Sequence, residues 1–254
     1  MTIISGSRVI ETPCCGRLLT TPRYLSTNNS AKEYWTDGRT VGSLAPQGAG
    51  LRRCTCGSYF LLRQAEYLDT VPDRKPRAPP DWETREIPSL LPGRSSRQYY
   101  VDYFDTRPAA VIDAEEKLVP PLVLGVTDAE LSGIIMSKVY TAQVLFPVRL
   151  LYWRYLNDSF RETYRAHKES APLTFPSFSP TSEQMENMEQ LLPLWESTQP
   201  QDWLLSAELH RELGHPEKAL ECLNHVATEQ QSVANMLKRM IAEGVRGPVR
   251  YSLD

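Results

Sequence analysis

Four of the chain's five cysteines fall in two short clusters, Cys14-Cys15 followed by Gly16 and Cys54-Thr55-Cys56 followed by Gly57. Thiolates so grouped are the side chains here best suited to chemistry, and the chemistry is metal coordination. Each glycine lets the backbone curl so that N–H groups approach thiolate sulfur, as a metal knuckle requires. Cys14, Cys15, Cys54 and Cys56, with no histidine in residues 1–65, predict a closed tetrahedral zinc site of structural type, without an open position for water. The spacing departs from paired C-x-x-C knuckles, because Cys14 and Cys15 are adjacent and one residue separates Cys54 from Cys56. Buried thiols without metal, and redox chemistry, therefore stay open as alternatives. Cys222 falls inside a helical pattern and reads as core.

Other candidates are weaker. His210 and His215 straddle Gly214 and so do not share the i, i+4 face of a helical metal motif. Glu115-Glu116, Glu208 and Glu212 read as carboxylates displayed to water from helix faces. The chain has no phosphate-loop glycine pattern and no Gly-x-Ser-x-Gly elbow, so catalytic and cofactor-binding residues are not assigned and an enzyme is the remoter expectation.

The elements that must position the cysteines differ along the chain. Residues 1–65 mix turn formers (Asn28-Asn29, Asp37-Gly38, Gly48, Gly50) with strand-like segments such as Thr2–Ile4 and Tyr59–Leu62, which predicts a small β-rich unit. Residues 71–95 hold six prolines and predict a linker or extended wrap, since proline lacks a backbone donor. The aromatic run Tyr99–Phe104 suits a buried strand or an apolar arm. Thr127 and Glu130 have capping-box spacing and open a helix. A long helix is expected from about Leu145 to His167, with Leu150, Trp153, Leu156, Phe160 and Tyr164 as its apolar stripe and Arg149, Arg154, Asp158, Arg161, Glu162 and Arg165 on its other face. Prolines in 171–180, beside two phenylalanines read as exposed, end it. Further helices are expected near 182–197, 201–213, 216–228 and 230–243.

Two resemblances follow from these residues. Asp202–Val226 resembles one tetratricopeptide repeat, with Trp203 at the large aromatic position, Ala207 and Ala219 at the small positions, and Gly214 at the turn. Val226 and Gln231 depart from that pattern. The resemblance implies antiparallel helix pairs stacked about a concave, protein-binding face. The first 65 residues resemble an uncharacterised bacterial zinc-ribbon-like family through Cys14-Cys15-Gly16, Trp35-Thr36-Asp37-Gly38 and Cys54-Thr55-Cys56-Gly57; this implies no activity.

Charge divides the chain as well. Residues 1–64 carry eight Lys/Arg against three Asp/Glu, whereas the whole chain has a formal net charge of −3. Arg17, Arg23, Lys32, Arg39, Arg52, Arg53 and Arg63 could meet nucleic acid, but pairing with the chain's own acidic residues is the preferred reading. No run reaches the ~20 apolar residues of a spanning helix, and the first residues lack a signal-peptide pattern, so a cytoplasmic protein without membrane contact is expected. The overall expectation is an α+β protein: a cysteine/zinc module at 1–68, a Pro-rich linker at 69–125, and a tetratricopeptide-like helical domain at 126–254. Its expected role is to bind another protein as adaptor, scaffold or inhibitor/immunity-type protein; nucleic-acid binding through residues 1–64 is the alternative.

Overall fold

A computed structural model describes residues 3–26, 31–42, 50–71, 105, 107–171, 173–198 and 202–252. Small antiparallel sheets near the N-terminus precede a mostly helical body, the α+β order expected. The chain forms two compact units that interleave in sequence. Unit 1 is Met1–Thr27, Cys54–Ser58 and Arg63–Leu124; unit 2 is Asn28–Arg53, Tyr59–Leu62 and Gly125–Asp254. Residues 28–53 and 59–62 of the expected N-terminal module thus cluster with the helices. The aromatic run Tyr99–Phe104 and most of the proline-rich segment lie outside the described residues.

Unit 1 is built on β1 (Ile3–Glu11), β2 (Leu18–Ser26) and β7 (Glu66–Val71), in the order β2-β1-β7. Ile10 and Leu19, paired across β1 and β2, share one face and are buried, and Val9 on the other face, Ile112 of α1 (Ala109–Leu118) and Val123 are buried in the same unit. The chain just before β8 (Leu124–Gly125) lies beside β2, where Thr20 N–H donates to Pro121 O at 2.8 Å and Val123 N–H to Thr20 O at 2.8 Å.

Unit 2 contains the hairpin β3 (Glu33–Trp35) and β4 (Thr40–Val41), turned by Thr36–Arg39 with Gly38 at φ 75°. The C-terminal strand β9 (Arg250–Tyr251) adds to β3. A second hairpin pairs β5 (Leu51–Arg53) with β6 (Tyr59–Leu61). The helices are α2 (Asp128–Ser137), α3 (Ala142–Leu156), α4 (Asp158–Ser170), α5 (Ser182–Thr198), α6 (Trp203–Leu213), α7 (Pro216–Leu223) and α8 (Gln231–Ala242). The capping box forms as expected: Thr127 donates from its N–H to Glu130 Oε2 at 2.8 Å and from its hydroxyl at 2.7 Å. These bonds hold the Glu130 carboxyl down at about 2.

The expected helix from 145 to 167 is two helices, α3 and α4, divided at Asn157. That side chain is buried, donating to Asp37 and Glu212 and accepting from Gln184. The apolar stripe is shared among three cores, with Leu156 packing beside Leu131, Ile134 and Val148. Leu150 and Trp153 pack with Met188, Leu191, Trp195, Leu209 and Leu213, whereas Phe160 and Tyr164 join the cluster of Trp35, Ala207, Leu223, Leu237 and Met240. Phe175 and Phe178 are half-buried rather than exposed: Phe178 meets Phe160 edge-on at 4.9 Å, and Phe175 packs on Tyr164. Gly247 lets the chain pass the Phe160 ring, which occupies the place a Cβ would take.

Helices α6 and α7 run antiparallel about Gly214, whose φ of 82° is left-handed. Trp203, at the start of α6, lies 4.7 Å from the His225 ring just beyond the end of α7. Ala207 and Ala219 are 1% and 0% exposed. Alanine at both places permits the close approach, and Ala219→Leu is expected to cost about 1–3 kcal/mol by overpacking. Thermal melting checks this; an unchanged midpoint would show that residue 219 is not in a tight interface.

Candidate metal centre

The four clustered cysteines sit at two hairpin tips. Between β1 and β2, Thr12 N–H donates to Arg17 O at 3.0 Å and Gly16 N–H to Thr12 O at 2.9 Å, so the turn doubles back with Cys14 and Cys15 at its apex. Gly16 has φ 67°, a conformation that side chains with a Cβ resist. The other tip repeats the plan. Cys54 N–H donates to Ser58 O at 2.8 Å and Gly57 N–H to Cys54 O at 2.9 Å, with Gly57 at φ 92°. The Arg17 guanidinium joins the tips by donating to the Thr55 hydroxyl at 3.2 Å. Both cysteine pairs belong to unit 1.

The sulfurs converge. Cys14 Sγ is 3.6 Å from Cys56 Sγ, Cys15 Sγ is 3.6 Å from Cys54 Sγ, and Cys14 and Cys15 are 3.9 Å apart. All four lie within 4.8 Å of one another. Tetrahedral coordination with metal–sulfur bonds of about 2.3 Å puts sulfurs about 3.8 Å apart, so the set fits a single ion with small adjustments. Such a group could hold a metal ion, as the sequence indicates, and it is the one such cluster among the described residues.

Its electrostatics are uneven. Burial, then hydrogen bonding to Cys54 and Cys56, push the Cys14 thiol up to about 12. The Thr12 hydroxyl and then the Arg17 N–H lower Cys15, and the Ser58 hydroxyl and N–H lower Cys56 to about 6. Polar turn residues thus favour thiolate at two positions.

A second concentration of titratable groups, in unit 2, is one the sequence misplaces. Glu208 and Glu212 are both 0% exposed, so the reading of them as solvated carboxylates is overturned. Glu208 accepts from Arg211 Nε at 2.8 Å and Nη2 at 2.6 Å, and from the Thr36 hydroxyl. Glu212 accepts from Trp153 Nε1 at 2.8 Å and Asn157 Nδ2 at 3.1 Å. Asp37, also 0% exposed, pairs with Arg161, which was expected on a polar face but is 1% exposed. Burial, then Glu208 and Asp37, raise the Glu212 carboxyl well above 4.5. With every carboxylate sealed from water, this lattice clamps the Trp35-Thr36-Asp37-Gly38 turn onto α4 and α6; it offers a substrate no access. His210 is buried as well, with burial lowering it to about 4, so it is a neutral core histidine.

The arginines at the start of the chain are partly accounted for by carboxylates. Arg53 meets Glu130 at 2.5 Å and Arg39 meets Asp158 at 3.6 Å. On the surface of unit 2, a groove of about 270 Å³ is lined by Ile135, Met136, Arg149, Tyr152, Glu183 and Glu186, among others. Met136 on its rim is 77% exposed. Among the described residues, no helix is long and apolar enough to cross a membrane. No family model, curated protein or solved structure matches the chain.

Proposed function

We propose that this chain is a non-catalytic protein-binding module, an adaptor, scaffold or inhibitor, whose first unit is held by one structural zinc ion on Cys14, Cys15, Cys54 and Cys56. The observation that carries the metal reading is the spacing of the four sulfurs, close to the edges of a tetrahedron around one ion. When bound, the ion supplies charge neutralisation and a cross-link; the four cysteines fill its shell, leaving no position for a reacting water. Thr12, Arg17 and Ser58 orient the thiolates. Zinc is the proposed ion because a closed set of four thiolates at glycine turns is the usual structural zinc site; iron is the other ion suited to four thiolates, and elemental analysis separates the two.

The binding role is supported by the α6–α7 hairpin and by the groove between α2, α3 and α5, whose lining combines apolar Ile135 and Met136 with Glu183, Glu186 and one cation, Arg149. The two glutamates outnumber Arg149, so this lining suits a partner segment with an apolar side chain next to a basic one. His210 and Arg211 on α6 are 6% and 3% exposed, so partner capture is tested at the groove residues rather than on that helix. Selection from a displayed peptide library should enrich apolar–basic pairs. Met136→Glu and Glu186→Lys should each reduce that capture at least tenfold without shifting the melting midpoint. Enrichment unaffected by either variant would remove the groove from the binding surface. The same protein is expected to bind DNA or RNA weakly at physiological salt, since Arg39 and Arg53 already face carboxylates.

A further inference from the structure

The four cluster thiols differ in access: Cys14, Cys15 and Cys56 are exposed, whereas Cys54 is buried. They also differ in the pairs they can form. Cys14 faces Cys56 at 3.6 Å and Cys15 faces Cys54 at 3.6 Å, each pair reaching across the two hairpin tips. Within the first tip, the approach of Cys14 to Cys15 at 3.9 Å joins neighbouring residues. Their Cα atoms, about 3.8 Å apart across a trans peptide, fall below the roughly 4.4–6.8 Å that disulfides span. Oxidation is therefore directed across the tips and away from the adjacent pair.

We propose that the cluster is a peroxide-responsive switch in which zinc is exchanged for cross-tip disulfides, with Cys14–Cys56 closing first. This rests on the zinc reading above. An exposed thiolate sulfur of Cys14 or Cys56 attacks one oxygen of hydrogen peroxide; an S–O bond forms as the O–O bond breaks, giving a sulfenic acid and a departing hydroxide. The facing thiolate then attacks the sulfenic sulfur, the S–S bond forms and hydroxide leaves. The two sulfurs lose two electrons and the peroxide gains them. A second peroxide closes Cys15 to Cys54 in the same way. In sum, four thiolates and two peroxides give two disulfides and four hydroxides, and the ion, left without ligands, is released. Because both bonds tie together the tips the metal had tied, unit 1 keeps its cross-link. What changes is the local surface: a tetrathiolate carrying two negative charges beside Arg17 becomes neutral.

The test uses the full chain, purified reduced and assayed for metal before oxidation, with a Cys222→Ala version to remove the thiol outside the cluster. Hydrogen peroxide is titrated against a chromogenic zinc chelator, and alkylated digests are mapped by mass spectrometry with fragmentation between Cys14 and Cys15. Release should reach one zinc per chain at about two equivalents of peroxide, Cys14–Cys56 should be the first linked pair, and dithiothreitol with zinc should restore the site. Zinc retained in excess peroxide, or Cys14–Cys15 as the main product, would overturn the switch while the zinc reading stands. A reduced chain free of metal before peroxide is added overturns the zinc reading and the switch with it.

Discussion

Asp37→Asn is expected to lower the stability of unit 2 by about 3–5 kcal/mol, the usual cost of leaving a buried charge without its partner. Arg161 is 1% exposed and pairs with Asp37; after substitution the one carboxylate left to it would be Asp158, at 2.5 Å and on the solvent side, beside the Arg154 carbonyl at 2.7 Å. Glu208→Gln should cost a similar amount, since Arg211 loses a carboxylate that it grips with two nitrogens. Glu212→Gln should behave differently. A carboxyl whose folded pKa is raised above 4.5 keeps its proton in the folded state after the unfolded chain has lost it, so folding stability falls as pH rises from 4.5 toward the folded value. The amide cannot ionise, and it should match or exceed the parent at pH 7, with its advantage gone below pH 4.5. Urea unfolding of the three variants at pH 4 and pH 7 checks this. An Asp37→Asn protein as stable as the parent would mean that the buried turn does not anchor α4.

The second large effect is expected at Cys54. Structural zinc in small domains contributes about 10–16 kcal/mol of folding free energy, so Cys54→Ala should release the ion and expose β1 and β2 to hydrogen exchange. Amides of α5–α8, which lie in unit 2, should keep their protection. Cys222→Ala is the control: this thiol is half-buried against the helical core and outside the cluster, so its loss should leave metal content unchanged. Equal protection of β1 and β2 in the Cys54→Ala and parent proteins would show that the sulfurs hold no ion that matters to the fold.

How far these features were legible in the sequence depended on the range of the interactions. The cysteine turns were readable because each is fixed within a few residues by a glycine and its neighbours, and the capping box at Thr127 because it spans one helical turn. The small residues Ala207 and Ala219 were readable because their helices are joined by a single turn. The buried charges were not. Periodicity treats Glu208, Glu212 and Arg161 as a solvated face, and what buries them is a turn supplied from far away in sequence: Thr36 reaches Glu208 across 172 positions and Asp37 reaches Arg161 across 124. The division of the long helix has the same origin, because Asn157 is committed to Asp37, 120 positions earlier. Strand β9 was hidden for the related reason that two residues carry no pattern and find order only by pairing with β3. The interleaving of the two units follows from β5 and β6, whose packing partners Leu131, Ile134 and Val148 lie in the helical half.

The central claim is a single zinc held by four sulfurs, and the most direct measurement is elemental analysis of reduced protein purified without added metal, joined to X-ray absorption at the zinc edge. The account predicts one zinc per chain, with four sulfur neighbours at about 2.3 Å and no oxygen or nitrogen in the shell. Substoichiometric zinc that a mild chelator strips without loss of structure, or a shell containing light atoms, would contradict it.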